Sequence, residues 1–250
     1  MKIAVMGYGT IGSGVVDVLR INKEKITKRA GEPVDVKYIL DLREFPGDPM
    51  EDAIVHDYQT IVNDPEIGIV VETMGGVEPA YTFVKAMLEA GKQVATSNKN
   101  LVAAKGAELI KIARDHNVNF QFEASVGGGI PIIRPLNKCL TADEIEEITG
   151  ILNGTTNYIL TKMDKEGETF ENALKEAQNL GYAERNPEAD VEGYDACRKI
   201  AILTSLVCGQ QVDFEDIHTE GITKITPTDI KYAQAMGRAI KLLATSKKGP

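Results

Sequence analysis

Short apolar runs alternate with longer amphipathic stretches in the first half of the chain. Runs rich in Val and Ile predict strands over 2–6, 34–40, 67–71, 94–96 and 118–122. The polar and apolar spacing predicts helices over 78–90 and 100–116, a helical turn over 58–63 and a loop over 44–57. A further helix is predicted after the first strand, with one side formed by Ile11, Val15, Val18, Leu19, Asn22 and Ile26. Five or six strands alternating with helices indicate an α/β fold with a doubly wound parallel sheet.

The pattern changes after Phe122. The segment Glu123–Pro131 contains three glycines followed by a proline, which predicts a hinge between domains. We therefore expect one domain over 1–125 and a second, α+β domain over 126–250. The second domain is predicted to contain strands over 145–152 and 239–245, and helices over 132–140, from 153, over 170–180, from about 191 and over 228–237. A turn sequence, 247–250, ends the chain directly after a strand, so we expect this domain to be cut at a loop.

Composition narrows the range of partners. The 250 residues carry 28 Lys and Arg against 37 Asp and Glu, a formal charge of −9, which argues against nucleic acid and anionic membranes as partners. Three cysteines without a CxxC motif are typical of a reducing compartment and give no zinc pattern. The N-terminus does not resemble a signal peptide, and no apolar run approaches the ~20 residues of a membrane span. We expect a cytoplasmic protein.

The first predicted strand leads directly into a turn of the form G-x-G-x-x-G. Gly7 permits the tight turn, Gly9 lets the backbone approach a pyrophosphate, and Gly12 lets the next helix sit close to the strand. The helix that begins with Thr10 and Ile11 offers free N–H groups and a positive dipole end to phosphates. The order of strand, turn and helix predicts a Rossmann-type site for NAD or NADP, rather than a glycine turn without a ligand.

The ends of the next two strands extend this site. Asp41 suits the ribose hydroxyls of NAD, whereas Arg43 suits the additional phosphate of NADP, so the sequence leaves the preference between these cofactors open. Thr73 and Gly75 belong to a segment of small residues after a buried strand, which fits a loop that passes under a nucleotide.

Three charged residues are candidates for catalysis. Asp195 and Lys199 lie four residues apart on a predicted helix with Ala196, Ile200, Leu203 and Val207 on one stripe. Such a pair can be an ordinary solvent-exposed ion pair. It can also be a catalytic pair, in which the acid orients a substrate and the lysine gives up a proton. Lys99 follows a predicted strand at its carboxyl end, where ligands gather in such sheets, although a surface lysine at a helix start is equally possible.

The glycine-rich segment also offers oxygen ligands. The carboxylate of Glu123 stands beside a run of turned backbone carbonyls, a pattern that suits a hard cation. A plain linker between the domains is the alternative interpretation.

Three motifs together resemble homoserine dehydrogenase, an NAD(P)-dependent enzyme family of threonine, methionine and isoleucine biosynthesis. They are EASVGGGIP over 123–131, LNGTTNYIL over 152–160 and the stretch 180–203, and the resemblance extends over 2–244. It implies a two-domain enzyme that interconverts L-aspartate 4-semialdehyde and L-homoserine. It also implies a homodimer formed through the second domain, and family members continue past the point where this chain ends.

The same resemblance implies roles for individual residues. Lys199 is the expected proton donor to the carbonyl oxygen, Asp195 orients the substrate, and Lys99 is a second lysine near the nicotinamide and the substrate. Glu184 holds the substrate amino group, and the further substrate contacts are expected at Tyr182, Thr155 and Asp190. A sodium ion is expected at Glu123 and the backbone of Val126, Gly128 and Ile130. The pair Asp195–Lys199 is expected to face the cleft between domains and not bulk water.

Two other functions remain open at this point. A semialdehyde dehydrogenase would use an activated thiolate, for which Cys139, near a helix end without a neighbouring His, is the candidate. A cofactor-binding fragment without full catalytic activity is the other, because the family's continuation is missing.

Overall fold

The computed structural model describes residues 1–249 and divides the chain into two compact units, one over Met1–Pro135 and one that begins at Leu136. The domain boundary predicted between 125 and 126 lies ahead of this division. The reason is local, because the carboxylate of Glu123 accepts hydrogen bonds from the backbone N–H groups of Ile132 and Ile133. These bonds hold the predicted hinge segment within the first unit.

The first unit is built on a sheet of six parallel strands, as the alternation of strands and helices predicts. The spatial order is β3-β2-β1-β4-β5-β6. The order reverses between β1 and β4, and in doubly wound sheets ligands bind at the carboxyl ends of the strands beside such a reversal. The strands are β1 Lys2–Met6, β2 Asp35–Leu40, β3 Ile54–Val55, β4 Ile67–Glu72, β5 Gln93–Thr96 and β6 Phe120–Gln121.

Helices connect these strands, and their apolar faces cover the sheet. Val5 of β1 and Ile39 of β2 are fully buried and pack with Tyr8 and Val16 in one core cluster. The helices are α1 Thr10–Ile21, α2 Lys23–Ala30, α3 Tyr58–Val62, α4 Ala80–Glu89, α5 Lys99–Asp115 and α6 Ile133–Lys138, the last of which crosses the division between the units.

The prediction for the first helix is wrong in two respects. The helix ends at Ile21, because Asn22 bends the chain and its side-chain amide donates to the carbonyl of Val18, and α2 then starts afresh. Its buried face holds Gly12 and Val16, whereas the predicted positions Ile11 and Val18 are 54% and 56% exposed.

The predicted loop over 44–57 is also wrong in part. It contains a 3-10 turn, Glu51–Ala53, and the short strand β3, whose two residues pair with Ile39 and Leu40. Two residues inside a polar stretch give no period that a sequence pattern could reveal. The strand predicted over 118–122 shortens to β6, because the N–H of Val118 donates to the carbonyl of Ala113 in α5 and a 3-10 turn begins at Glu123. Only Phe120 and Gln121 pair with β5.

The second unit is mainly helical and carries a two-stranded antiparallel sheet of β7 and β8. Buried residues of α7 and α8, such as Ile159, Leu160 and Ala173, form its main core cluster. The elements are β7 Glu147–Gly150, α7 Gly154–Glu166, α8 Phe170–Asn179, α9 Glu188–Val191, α10 Tyr194–Cys208, α11 Pro227–Ala235 and β8 Ala244–Lys247.

Two predicted boundaries in this unit shift. The helix expected from about 191 starts at Tyr194, because Gly193 has a φ of 85° and separates α9 from α10. The strand expected over 239–245 lies at Ala244–Lys247 instead, where it pairs with β7. The predicted turn over 247–250 therefore starts inside this strand, and Pro250 lies outside the described residues.

Candidate active site and cofactor site

The glycine turn after β1 has the geometry that its sequence predicts. Gly7 has a φ of 96°, and its N–H donates to the carbonyl of Leu40 over 2.8 Å. A Cβ on Gly12 would lie 1.9 Å from the carbonyl oxygen of Gly7, so α1 can approach β1 this closely only with glycine there. A Cβ on Gly9 would meet nothing within 4 Å, which leaves its backbone open to a ligand. These features fit a pyrophosphate at the start of α1.

The loop after β4 is hydrogen-bonded to this turn. The hydroxyl of Thr73 donates to the carbonyl of Gly7 over 2.9 Å, and Gly75 has a φ of 91°. Two other predicted contacts, Thr10 and Ile11, occupy the first turn of α1 with exposed side chains. The structure thus brings the predicted residues Gly7, Gly12 and Thr73 together at the reversal of strand order.

Asp41 and Arg43 form an ion pair at the carboxyl end of β2. The Asp41 carboxylate accepts from the Tyr8 backbone N–H at 2.8 Å and from the Arg43 guanidinium at 3.0 Å on each oxygen. The side-chain bonds from Arg43, and then the backbone N–H bonds, hold the pKa of Asp41 well below its usual range although burial opposes this. The Arg43 side chain remains 62% exposed, whereas that of Asp41 is 10% exposed. The positive group is therefore the more accessible of the two.

Lys99 lies where the sequence predicts, at the start of a helix after a strand. It is the first residue of α5, and Asn98 caps this helix by accepting from the N–H of Leu101 over 3.1 Å. Two buried residues that the sequence analysis passed over, Glu72 and Asn98, support this region. A carboxylate at the end of a buried strand, directly before small loop residues, was the signal that could have pointed to Glu72.

In the second unit, Asp195 and Lys199 form an ion pair over 2.7 Å on α10. Their side chains are 3% and 15% exposed, so the pair does not face bulk water, and its position in a cleft between domains stays a prediction. The ammonium also donates to the backbone carbonyl of Leu152 over 2.9 Å, so two of its three donors have known partners. Asp195 lies in the first turn of α10, where the helix dipole favours a negative charge.

Asn153 is a third residue that the sequence analysis did not assign to the site. It is buried, it follows Leu152, and its amide group donates to Asp195 over 2.9 Å and to Asp190 over 2.7 Å. Its carbonyl oxygen accepts from the N–H of Thr156 and thereby caps α7. One side chain therefore starts a helix and joins two predicted site carboxylates. An Asn at the predicted helix start was the available signal, since capping is its usual role there.

The remaining predicted substrate residues occupy the segment between α8 and α9 and the start of α7. The Thr155 hydroxyl donates to the backbone carbonyl of Tyr182 over 2.8 Å. The Tyr182 side chain is 57% exposed, and its ring meets that of Tyr158 edge-on at 5.2 Å. Glu184 is exposed, and its backbone carbonyl accepts from the side chain of Gln178. The structure thus joins Thr155 to Tyr182 and Asp190 to Asp195, and leaves Glu184 on the surface of this unit.

Glu123 acts as a cap in the first unit. Its carboxylate accepts from the N–H groups of Ile132, Ile133 and Arg134 at 2.6–2.8 Å. Burial is the largest single influence and raises the pKa of Glu123, but these three bonds and the nearby Arg134 charge together bring the pKa below its usual value. The predicted partners differ in exposure, since Val126 is buried, Ile130 is 73% exposed, and Gly128 has a φ of 56°. All four would offer oxygen atoms, the ligand type that a hard cation takes.

Metal-ligand clusters, membrane-spanning helices and the candidate thiol are considered in turn. Within residues 1–249, no cluster of three or more His, Cys, Asp or Glu side chains could hold a metal ion, and no helix is long and apolar enough to cross a membrane. Cys139 is exposed and directly follows the last residue of α6.

Comparison with known proteins gives one consistent result. A family model described as "Homoserine dehydrogenase, NAD binding domain" matches residues 7–123, and one described as "Homoserine dehydrogenase" matches residues 131–248. The homoserine dehydrogenase of Bacillus subtilis is 41% identical over 251 residues, which cover 99% of this chain and 58% of that protein. The chain therefore spans a little more than half the length of this relative.

Solved structures agree with the sequence comparison. The crystal structure of a homoserine dehydrogenase from Thiobacillus denitrificans matches with a TM-score of 0.91 and 42% identity, over 100% of this chain and 58% of that one. A hyperthermophilic archaeal homoserine dehydrogenase in complex with NADPH matches with a TM-score of 0.82 and 28% identity, over 99% of this chain and 79% of that one. Family models that match both parts of the chain, together with these relatives, establish that it belongs to the homoserine dehydrogenase family.

Proposed function

We propose that this chain carries homoserine dehydrogenase activity, the reversible reduction of L-aspartate 4-semialdehyde to L-homoserine in threonine, methionine and isoleucine biosynthesis. The observation that carries the proposal is the sequestered ion pair of Lys199 and Asp195, fixed by Asn153 and the Leu152 carbonyl. A surface pair of the same spacing would have neither of these two additional partners. The family membership supplies the identity of the substrate.

The chemistry divides between cofactor and protein. A bound nicotinamide cofactor supplies the hydride that reduces the aldehyde carbon. As negative charge grows on the carbonyl oxygen, the Lys199 ammonium stabilises it through its third N–H and then gives it a proton. The lysine is left as a neutral amine and regains a proton from solvent. Asp195 holds the Lys199 ammonium in place through the ion pair.

The other residues take supporting roles in this proposal. Glu184 would bind the substrate amino group, with Tyr182, Thr155 and Asp190 lining the substrate, while Lys99 would act as a second lysine beside nicotinamide and substrate. These assignments rest on the family resemblance. The bond between Thr155 and Tyr182 and the bridge between Asp190 and Asp195 support them by joining pairs of these residues.

We also propose that the cofactor is NADP(H) in preference to NAD(H). The oxygens of Asp41 are already bonded to Tyr8 and Arg43, which leaves the exposed guanidinium as the group to meet the ribose. A guanidinium suits the additional phosphate of NADP. Arg43→Leu should lower kcat/KM for NADPH about tenfold and leave that for NADH nearly unchanged. Arg20→Leu, which removes an exposed guanidinium from α1, is the control, and an equal loss with both cofactors would contradict the preference.

The oligomeric state, a bound ion and the cellular location are also proposals. We expect a homodimer formed through the second unit, a sodium ion at Glu123 with the carbonyls of Val126, Gly128 and Ile130, and a cytoplasmic location. In the described residues the sheet of β7 and β8 has two strands only, so neither outer edge pairs with a further strand of this chain. Light scattering coupled to size-exclusion chromatography should give twice the mass of one chain.

The activity is tested by following NAD(P)H absorbance with homoserine or the semialdehyde. Lys199→Ala should lower kcat by about 10²–10⁴-fold, the usual contribution of a general acid. Lys175→Ala, which removes an exposed lysine from α8, should leave kcat unchanged. A wild-type chain that turns over but does not depend on Lys199 would remove the proposed proton donor, and cofactor binding without any turnover would favour a binding fragment.

A further inference from the structure

Glu72 is a fully buried carboxylate that the proposed chemistry does not use. It is the last residue of β4, at the carboxyl edge of the parallel sheet, and its exposed fraction is 0%. Burial of a carboxylate is unfavourable unless hydrogen bonds satisfy its oxygens. The partners of this side chain therefore indicate why a carboxyl group is placed at a position that an apolar residue could fill.

One oxygen of Glu72 holds the loop after its own strand. Oε1 accepts from the backbone N–H of Met74 over 2.8 Å and from that of Gly75 over 3.4 Å. This loop also contains Thr73, whose hydroxyl is bonded to the carbonyl of Gly7 in the glycine turn. Glu72 thus fixes the backbone of the segment expected to pass under the nucleotide, in addition to the bond between Thr73 and Gly7.

The two oxygens also reach the end of the neighbouring strand. Oε2 accepts from the hydroxyl of Thr96 over 2.5 Å, and Oε1 accepts from the side-chain amide of Asn98 over 3.4 Å. Asn98 donates in addition to the carbonyl of Gly76 over 2.7 Å, and it caps α5. The first residue of that helix is Lys99.

We propose that Glu72 is a positioning residue that sets the cofactor loop 73–76 and the start of α5 relative to each other. Through this carboxylate the backbone beneath the cofactor and the helix that begins with Lys99 are held as one piece. The inference deepens the proposed function, on which it rests for the identity of the cofactor. Its effect should be on cofactor affinity and on the rate of the chemical step, beyond any effect on stability.

A purely structural role is the competing explanation, and the same sheet offers a matched control. Lys92 is 4% exposed and donates to the backbone carbonyls of Asp64 and Ile67, at the opposite, amino edge of β4. Lys92→Met removes a buried charge and its hydrogen bonds far along the sheet from the cofactor loop. It should lower Tm and leave the Kd for NADPH unchanged.

The test compares Glu72→Gln, Thr96→Val and Lys92→Met in the whole chain. Glu72→Gln keeps the shape of the side chain but replaces one acceptor oxygen with an amide donor, so the Kd for NADPH should rise about tenfold and kcat should fall. Thr96→Val removes one donor from the same carboxylate and should shift both quantities in the same direction by a smaller factor. Hydrogen exchange at 73–76 should be faster in both variants and unaltered in Lys92→Met.

Each outcome bears on the proposal. If Glu72→Gln lowers Tm as much as Lys92→Met does and leaves the Kd, kcat and loop exchange at wild-type values, Glu72 is structural and the proposal is overturned. If Glu72→Gln does not fold, Thr96→Val decides by the same criteria. The Kd and the exchange rates do not depend on homoserine turnover, so a failure of the proposed function is distinguishable from a failure of this inference.

Discussion

At the scale of single residues, Asn153 determines the electrostatics of the ion-pair site. Two carboxylates, Asp190 and Asp195, share its side-chain amide, which places donor groups between like charges. Without that amide their repulsion would act directly, and Asp195 would lose a partner that helps to fix it opposite Lys199. The same side chain caps α7, so stability and site geometry depend on one residue.

Asn153→Ala should therefore affect activity as well as stability. The loss of the cap should lower the free energy of unfolding by ~1 kcal/mol, and the loss of the amide between the carboxylates should reduce kcat about tenfold. Thr169→Ala removes the cap of α8 without touching the site, so it should reduce stability alone. Chemical denaturation and the homoserine assay separate the two effects, and equal kcat values for both variants would contradict the role given to Asn153.

Glu123 provides a prediction about pH. Its pKa is lowered in the folded protein, so its stabilising contribution is present above the unfolded value of about 4.5 and is lost as pH falls through the folded pKa. Glu123→Gln should therefore be less stable than wild type near pH 7, with a difference that shrinks below about pH 4.5. Glu89→Gln, at an exposed position of α4, should follow the wild-type curve. Urea unfolding at several pH values measures this, and a difference that grows towards acid pH would contradict it.

Contacts between residues close in sequence were predictable, whereas contacts between distant residues were not. The spacing of Asp195 and Lys199 shows in the sequence that they share a helix face, and Ala196, Ile200 and Leu203 of the predicted stripe are buried. The hydrogen-bond partners of the pair cannot be recognised in the sequence, because Leu152 and Asn153 lie more than forty positions away along the chain. In the same way, Glu72 meets Thr96 and Asn98 only after β4 and β5 pair. Contacts of this kind depend on the fold rather than on the pattern.

At the scale of elements, the glycines at the two ends of α10 have unequal roles. Gly193 and Gly209 have φ values of 85° and 69°, so an Ala at either position would be strained. A Cβ on Gly193 would also lie 3.0 Å from the backbone carbonyl oxygen of Glu220, whereas one on Gly209 would meet nothing within 4 Å. Because Asp195 follows two residues after Gly193, a shift at this end would move the ion pair of Asp195 and Lys199.

Gly193→Ala and Gly209→Ala therefore form a matched pair. Each should lower the free energy of unfolding by about 1–2 kcal/mol, because alanine is strained in a left-handed backbone conformation. Gly193→Ala should have the larger effect, because its Cβ would also lie close to the carbonyl oxygen of Glu220. Only Gly193→Ala should also reduce kcat, since α10 must shift to relieve the contact. Thermal unfolding and steady-state kinetics of both variants test this, and a loss of kcat in Gly209→Ala of the same size would indicate a general effect of stability.

Elements with a strong period were predictable, whereas short or bent ones were not. The runs 2–6 and 67–71 became β1 and β4, because continuous apolar residues suit strands buried on both faces. The break between α1 and α2 depends on the Asn22 side chain, which folds back onto Val18, and β3 depends on pairing with β2. Neither effect has a periodic signature, since a single capping amide and a two-residue strand are set by their neighbours.

At the scale of the whole molecule, cofactor binding and catalysis are assigned to different parts of the chain. The glycine turn, Thr73 and Arg43 belong to the first unit, and the ion pair of Asp195 and Lys199 belongs to the second. The proposal therefore predicts that the two properties can be separated by substitution. The chain spans 58% of the Bacillus subtilis relative. Cofactor binding and homoserine turnover therefore need to be measured independently.

Lys199→Ala should bind NADPH with the wild-type Kd in a calorimetric titration and yet show almost no homoserine-dependent turnover. Because a ligand that binds only the folded state stabilises it, NADPH at about 100 times its Kd should raise the unfolding free energy of both proteins by about 2.7 kcal/mol. Arg43→Leu should show the opposite behaviour. It should need more NADPH for the same increase in unfolding free energy, while proton transfer from Lys199 is retained. Weaker NADPH binding by Lys199→Ala than by Arg43→Leu would contradict this division of roles, because it would place the ion pair in the cofactor site rather than at the reacting carbonyl.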